Sequence, residues 1–215
     1  MSIPKITKTD QKVITEKWKA YFPEMEVFEP MMLINIINPF LVGLCLEIKS
    51  DRNKYYPRVF LHNLARIKED LTFDFSITKS NYIISSISTE DKVNRIIHEL
   101  KTNTLIPTAG DIKYFEFIDN LKIYCEGAFG IEQLSILKIL FYLESWFNEG
   151  NVASTEEFAA RILAQKKIIL TEKEQRDWIK GCVDEVSDVN KLKNNVRLEK
   201  IKWNLQTFPH RTFVV

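Results

Sequence analysis

The sequence predicts an α+β protein: a small antiparallel sheet of three or four strands from about residue 40 to 87, with flanking helices, then a mainly α-helical C-terminal half. Three observations carry this. Phe40, Val42, Leu44, Leu46 and Ile48 alternate with Leu41, Gly43, Cys45, Glu47 and Lys49, the period of a strand buried on one face. Two further candidate strands, Tyr55–Leu64 and Leu71–Thr78, follow the turn chemistry of Ser50–Asn53. From Ser88 onward apolar residues recur at helical spacing instead.

In chain order, Val13, Ile14 and Trp18 predict an amphipathic helix over residues 9–22. Pro30 can open a helix at its first turn and Pro39 forbids helical angles at Asn38, so a short apolar helix is expected between them. The meander follows, with residues 81–87 as a fourth strand. Ser88 or Thr89 caps the next helix, whose stripe is Val93, Ile96, Ile97 and Leu100. Residues 110–125 and 131–148 predict two more helices, the second apolar around most of its circumference and so expected at the centre of a helical core. Ser154/Glu157 and Thr171/Glu174 have capping-box spacing ahead of two further helices. Alternation of Ile201, Trp203 and Leu205 favours a late strand, or a tail that packs back. The change of character at residues 102–111 divides the chain into an α+β region, 1–105, and a mainly helical region, 106–215, which can share one core.

Thirty Lys and Arg against 29 Asp and Glu give a net charge of +1, without the basic excess of most nucleic-acid binders. Cys45, Cys125 and Cys182 are widely spaced and odd in number, the pattern of unpaired thiols in a reducing compartment. The first eighteen residues have no apolar signal-peptide core, and the most apolar segment is interrupted by Glu132, Lys138 and Glu144. A cytoplasmic protein without a membrane partner is expected. The six glycines form no phosphate-binding fingerprint, and His62, His98 and His210 form no metal-ligand spacing. No cofactor or structural metal is expected.

The residues that carry chemistry concentrate on the predicted hairpin. Glu47 and Lys49 share one strand face, Arg58 and His62 a face of the next strand, and Asp74 the polar face of the third. Glu47-Ile48-Lys49, ending an apolar strand, resembles the Glu-x-Lys half of the restriction-endonuclease-like nuclease core. That resemblance implies Mg²⁺ or Mn²⁺ held by carboxylates, with the lysine orienting water and stabilising developing charge. The family's acid on the preceding strand has no counterpart in the expected layout, so Asp74 would stand in for it. The plainer reading is a solvated sheet face with cross-strand Glu–Lys and Glu–Arg pairs.

A second candidate is the segment 191–211, with six Lys or Arg (Lys191, Lys193, Arg197, Lys200, Lys202 and Arg211) against Glu199, a local charge of +5. Lys200, Lys202 and the interleaved Trp203 would bind single-stranded nucleic acid by phosphate contacts and stacking. With no strong catalytic signature, the expected function is a soluble, non-catalytic protein–protein interaction module, a class that includes small bacterial immunity and adaptor proteins. Its expected partner is another protein, contacted through Tyr55 and Tyr56 as exposed aromatics at the hairpin end with Arg58 and His62 beside them.

Overall fold

A computed structural model describes residues 5–50, 52–71, 75–76, 83–85, 88–102, 110–165 and 170–214. It divides into two compact units. The first is residues 1–62, 72–113 and 207–215, and the second residues 63–71 and 114–206.

The first unit opens with helix α1 (Lys8–Tyr21). Thr7 and Asp10 form its capping box: Asp10 N–H donates to Thr7 Oγ1 at 3.2 Å and Thr7 N–H to the Asp10 carboxylate at 2.8 Å. The Thr7 hydroxyl, donating to the same carboxylate at 2.7 Å, and the Thr7 N–H together hold the exposed Asp10 carboxyl below its ordinary range. Trp18, on the buried face, stacks on Phe22 at 6.0 Å between ring centroids and donates its indole N–H to the Tyr55 hydroxyl at 3.1 Å.

Strands β1 (Glu26–Glu29), β2 (Met32–Ile37), β3 (Phe40–Ile48) and β4 (Lys54–Asn63) run as an antiparallel meander, and β5 (Phe75–Ser76) and β6 (Ile84–Ser85) both pair with β4. The three or four strands expected after residue 40 are therefore joined by two earlier ones. The short helix expected between Pro30 and Pro39 is instead β2. Lying between β1 and β3, β2 keeps Leu33, Ile34, Ile36 and Ile37 at most 1% exposed. Burial on both faces removes the polar residues that mark strand period, and an apolar run of this length fits either structure. Its three isoleucines favour the pleated form. Pro39 does not end a helix. It sits in the two-residue turn between Ile37 and Phe40, with a cis Asn38–Pro39 bond.

Helix α2 (Glu90–Thr102) is capped by Thr89, whose hydroxyl accepts from Lys92 N–H at 3.3 Å, and it buries Ile96, Ile97 and Leu100 as its stripe predicts. Strand β7 (Ile112–Lys113) closes this part of the unit.

The second unit is built from α3 (Tyr114–Gly127), α4 (Gly130–Phe147), α5 (Ala153–Ala164), α6 (Glu172–Val186) and α7 (Val189–Lys202). Helix α4 is its core: Ile136, Leu137 and Leu140 to Leu143 are all within 1% of complete burial. Thr171 and Glu174 form the predicted capping box of α6. The Ser154/Glu157 box does not form. Helix α5 starts at Ala153, where Asn151 Oδ1 accepts from Ala153 N–H at 3.2 Å and Glu144, on α4, accepts from Thr155 N–H at 2.7 Å. A cap supplied by another helix leaves no local spacing to read.

The expected late strand at Ile201–Leu205 is also corrected, because α7 runs through Lys202 and buries Leu192, Val196 and Glu199. Ile201 is 47% exposed and Leu205 fully buried, so their alternation is not that of one strand face. Helix α7 holds residues 63–71. Asn195 donates to Ala65 O at 2.8 Å, and Lys202 donates to the carbonyls of Lys68 and Glu69.

The tail packs back, in the first unit. Strand β8 (His210–Arg211) pairs parallel with β2, and β9 (Phe213–Val214) pairs with β7. The Arg211 guanidinium donates to Gly110 O and lies 3.4 Å from Glu24, which also accepts the Gly110 N–H at 3.0 Å.

Candidate functional site

Alternation along each strand, with the Phe60 ring over Gly43 and Tyr56 and Arg58 on Glu47, puts Gly43, Cys45, Glu47 and Lys49 on one face of the sheet with Tyr56, Arg58, Phe60 and His62. The Phe60 ring lies directly over Gly43, where an added Cβ would fall 2.1 Å from it. Beyond this covered patch the face becomes polar. Glu47 Oε1 accepts from the Tyr56 hydroxyl and Oε2 pairs with Arg58 Nε at 3.2 Å. Arg58 and Lys49 stand over the Tyr56 ring at 4.6 and 5.1 Å. Tyr56 therefore has two cations against its ring and a hydrogen bond to a carboxylate, and the bond to Glu47 raises its pKa.

Glu47, Lys49 and Arg58 thus come together as the alternation expects, and Tyr56, expected instead as an exposed contact, joins them. Two of the other residues do not join them. His62 lies past Phe60 and is fully buried, and Tyr55 points to the opposite face, 7% exposed against Trp18. Neither is the exposed contact expected of it, because Tyr55 is covered by Trp18 and His62 is buried on its own face. Asp74 lies outside the described residues.

Both oxygens of Glu47 are engaged by groups of this chain, so a cation bound there would displace Tyr56 and Arg58. Among the described residues, no group of three or more His, Cys, Asp or Glu side chains is placed to hold a metal ion. Cys45, beside Glu47, has its pKa pushed up to about 11 by burial and by Glu47 and Glu29, so the thiol is protonated at neutral pH and is a poor nucleophile.

The basic C-terminal segment is also used internally. Burial lowers the Lys200 pKa, and Lys202 holds the carbonyls of residues 68 and 69 while standing 4.8 Å over Trp203. The Trp203 indole N–H donates to Glu199 at 2.8 Å, a carboxylate 1% exposed that also accepts from Lys68 N–H at 3.4 Å. Lys191, Lys193 and Arg197 remain exposed on the outer face of α7.

A different surface stands out in the second unit. Phe115 and Ile123 on α3, Phe129 in the α3–α4 turn and Ile131 on the first turn of α4 are 63%, 68%, 67% and 83% exposed. The inward stripe of α3 is Tyr114, Phe117, Leu121 and Cys125, and the hairpin is closed by Gln133 Nε2 donating to Cys125 O at 2.9 Å and by Tyr124 donating to Glu132 at 2.8 Å. Phe115 and Ile123 fall off that stripe, two helical turns apart. The signal was present in the sequence: once 114, 117, 121 and 125 are assigned inward, 115 and 123 have to face out.

No protein-family model, curated protein or solved structure matches the chain.

Proposed function

We propose that the chain is a non-catalytic protein–protein interaction module, adaptor-like in character, and that the outer face of α3 with the α3–α4 turn is its contact surface. The observation that carries the reading is the group of Phe115, Ile123, Phe129 and Ile131, each more than 60% exposed within seventeen residues of chain. Scattered exposed apolar residues are normal, whereas a concentration of large ones marks interaction surfaces. Phenylalanine in particular is enriched at the buried centres of interfaces.

The polar face of the hairpin supports the same reading by contrast, since its carboxylate is already paired within the chain. Three free thiols fit a reducing, cytosolic setting. No helix among the described residues is long and apolar enough to cross a membrane.

The test is parallel affinity capture from native lysate with wild type and with Ile123→Ser/Ile131→Ser. A partner retained by wild type and lost with the double variant, while Glu47→Ala still retains it, is the expected result. Retention by both double variant and wild type contradicts the assignment of the surface.

A further inference from the structure

On the side of the sheet to which Tyr55 points, the first unit holds a cavity of about 560 Å³ between α1, the paired Tyr55 and Ile84 of β4 and β6, and the first turn of α2. Ile14, Trp18 and Tyr21 of α1 line it together with Tyr55, Ile84 and Val93. Trp18, Tyr55 and Ile84 are 1%, 7% and 2% exposed, so the buried part of the wall is uncharged and largely aromatic. The charged lining residues, Lys5, Asp10 and Lys17, are all exposed, and Asp10 is bonded to Thr7. Protein interiors leave few voids larger than a water molecule. Ligand sites, by contrast, are mostly apolar cavities of about 300–1,000 Å³ with a small number of placed polar groups.

One polar pair lies in the buried wall. The Trp18 indole N–H donates to the Tyr55 hydroxyl at 3.1 Å, and among the described residues that hydroxyl finds no acceptor for its own proton. Burial raises the Tyr55 pKa, which keeps the proton in place and the hydroxyl a donor. A buried donor left unmet is costly, and an acceptor carried in by a ligand removes the cost. We propose that this cavity binds an uncharged, flat aromatic molecule whose carbonyl oxygen accepts a hydrogen bond from the Tyr55 hydroxyl. Trp18, Tyr21 and Tyr55 offer ring faces and edges to the aromatic body. A charge on that body would lose its water among uncharged side chains without gaining a partner. Every residue the site uses belongs to the first unit, and none to the α3 surface.

The probe is methyl naphthyl ketone, titrated against the full chain by equilibrium dialysis, with naphthoate as its charged counterpart. The ketone should bind saturably with one site per chain, and naphthoate at least tenfold more weakly. Ile14→Trp and Val93→Trp, at two half-buried wall positions, should each weaken the ketone at least tenfold by filling the cavity. Ile123→Ser/Ile131→Ser should leave its affinity unchanged. Melting curves identify any variant that fails to fold, and the two tryptophan variants on different helices keep the test independent of either one. The infrared carbonyl stretch of the bound ketone should lie below its position in hexane, the sign of a hydrogen bond. In Trp18→Phe/Tyr55→Phe, which removes both donors together, it should return to the hexane position.

Absence of saturable binding, or binding that ignores both tryptophan variants, overturns the site. So does binding lost with the isoleucine pair, which places the probe on the α3 surface. Naphthoate binding more tightly than the ketone overturns the uncharged class and makes Lys5 or Lys17 the recognising group. Ketone binding that follows the tryptophan variants but shows the hexane carbonyl stretch in wild type overturns the role of Tyr55.

Discussion

The sheet face around Glu47 and the outer face of α3 are opposites. Around Glu47 every charged group is matched within a few ångströms by a group of the same chain: Arg58 and Tyr56 hold the carboxylate, and Lys49 rests on the Tyr56 ring. On α3, Phe115 and Ile123 are more than 60% exposed, while Lys122 and Arg161 stand over the Phe158 ring of α5. The face proposed for contact is thus not the one that holds the chemically suggestive residues. A polar cluster satisfied by its own chain contributes modest stability, whereas exposed apolar area that the fold leaves unburied is lowered in free energy only by something outside it.

Several measurements break or sharpen this contrast. The largest effect falls where the sheet face is covered. Phe60→Ala removes a fully buried ring from above Gly43 and should cost about 3–5 kcal/mol, read from urea unfolding. Next comes Glu199→Ala in the second unit. It deprives the Trp203 indole and the Lys68 amide of their acceptor and should cost about 1–3 kcal/mol.

The polar cluster itself should matter less. A double-mutant cycle on Glu47 and Arg58, both more than a third exposed, should return a coupling of at most about 1 kcal/mol. Saturating Mn²⁺ should leave the melting curves of wild type and Glu47→Ala unshifted. A site filled at about 100 times its dissociation constant would add roughly 2.7 kcal/mol, and such a shift confined to wild type would restore the Glu-x-Lys resemblance as a metal site. Ile123→Ser/Ile131→Ser should change stability by less than about 0.5 kcal/mol per site, as exposed positions do. Smallest is the thiol chemistry. Cys45 and Cys182, both held at about 11 with burial as the main cause, should alkylate slowly at neutral pH and faster as pH rises toward 11.

The legibility of the fold followed how local each cause is. Strand β3 and helices α1, α2, α4 and α6 were readable because their periodicity or caps are written within one element. Strand β2 was not, since burial on both faces leaves Met32–Ile37 without alternation. The start of α5 was hidden because its cap comes from Glu144 on another helix. In the candidate sites, alternation grouped Glu47, Lys49 and Arg58 and places Tyr56, two residues before Arg58, on the same strand face, but no local pattern reveals that the Tyr56 hydroxyl reaches Glu47 across the hairpin or that His62 is buried. The α3 surface was legible in principle, from Phe115 and Ile123 lying off the buried stripe. It is missed when apolar residues in a helix are all read as core.

The most direct test places a photo-crosslinking residue at Ile131 in one protein and at Lys49 in another, and exposes both to the same native extract. The account predicts a discrete adduct from position 131, suppressed by excess unlabelled wild type but not by Ile123→Ser/Ile131→Ser, and no such adduct from position 49. A discrete, competable adduct from position 49, with none from 131, would contradict it.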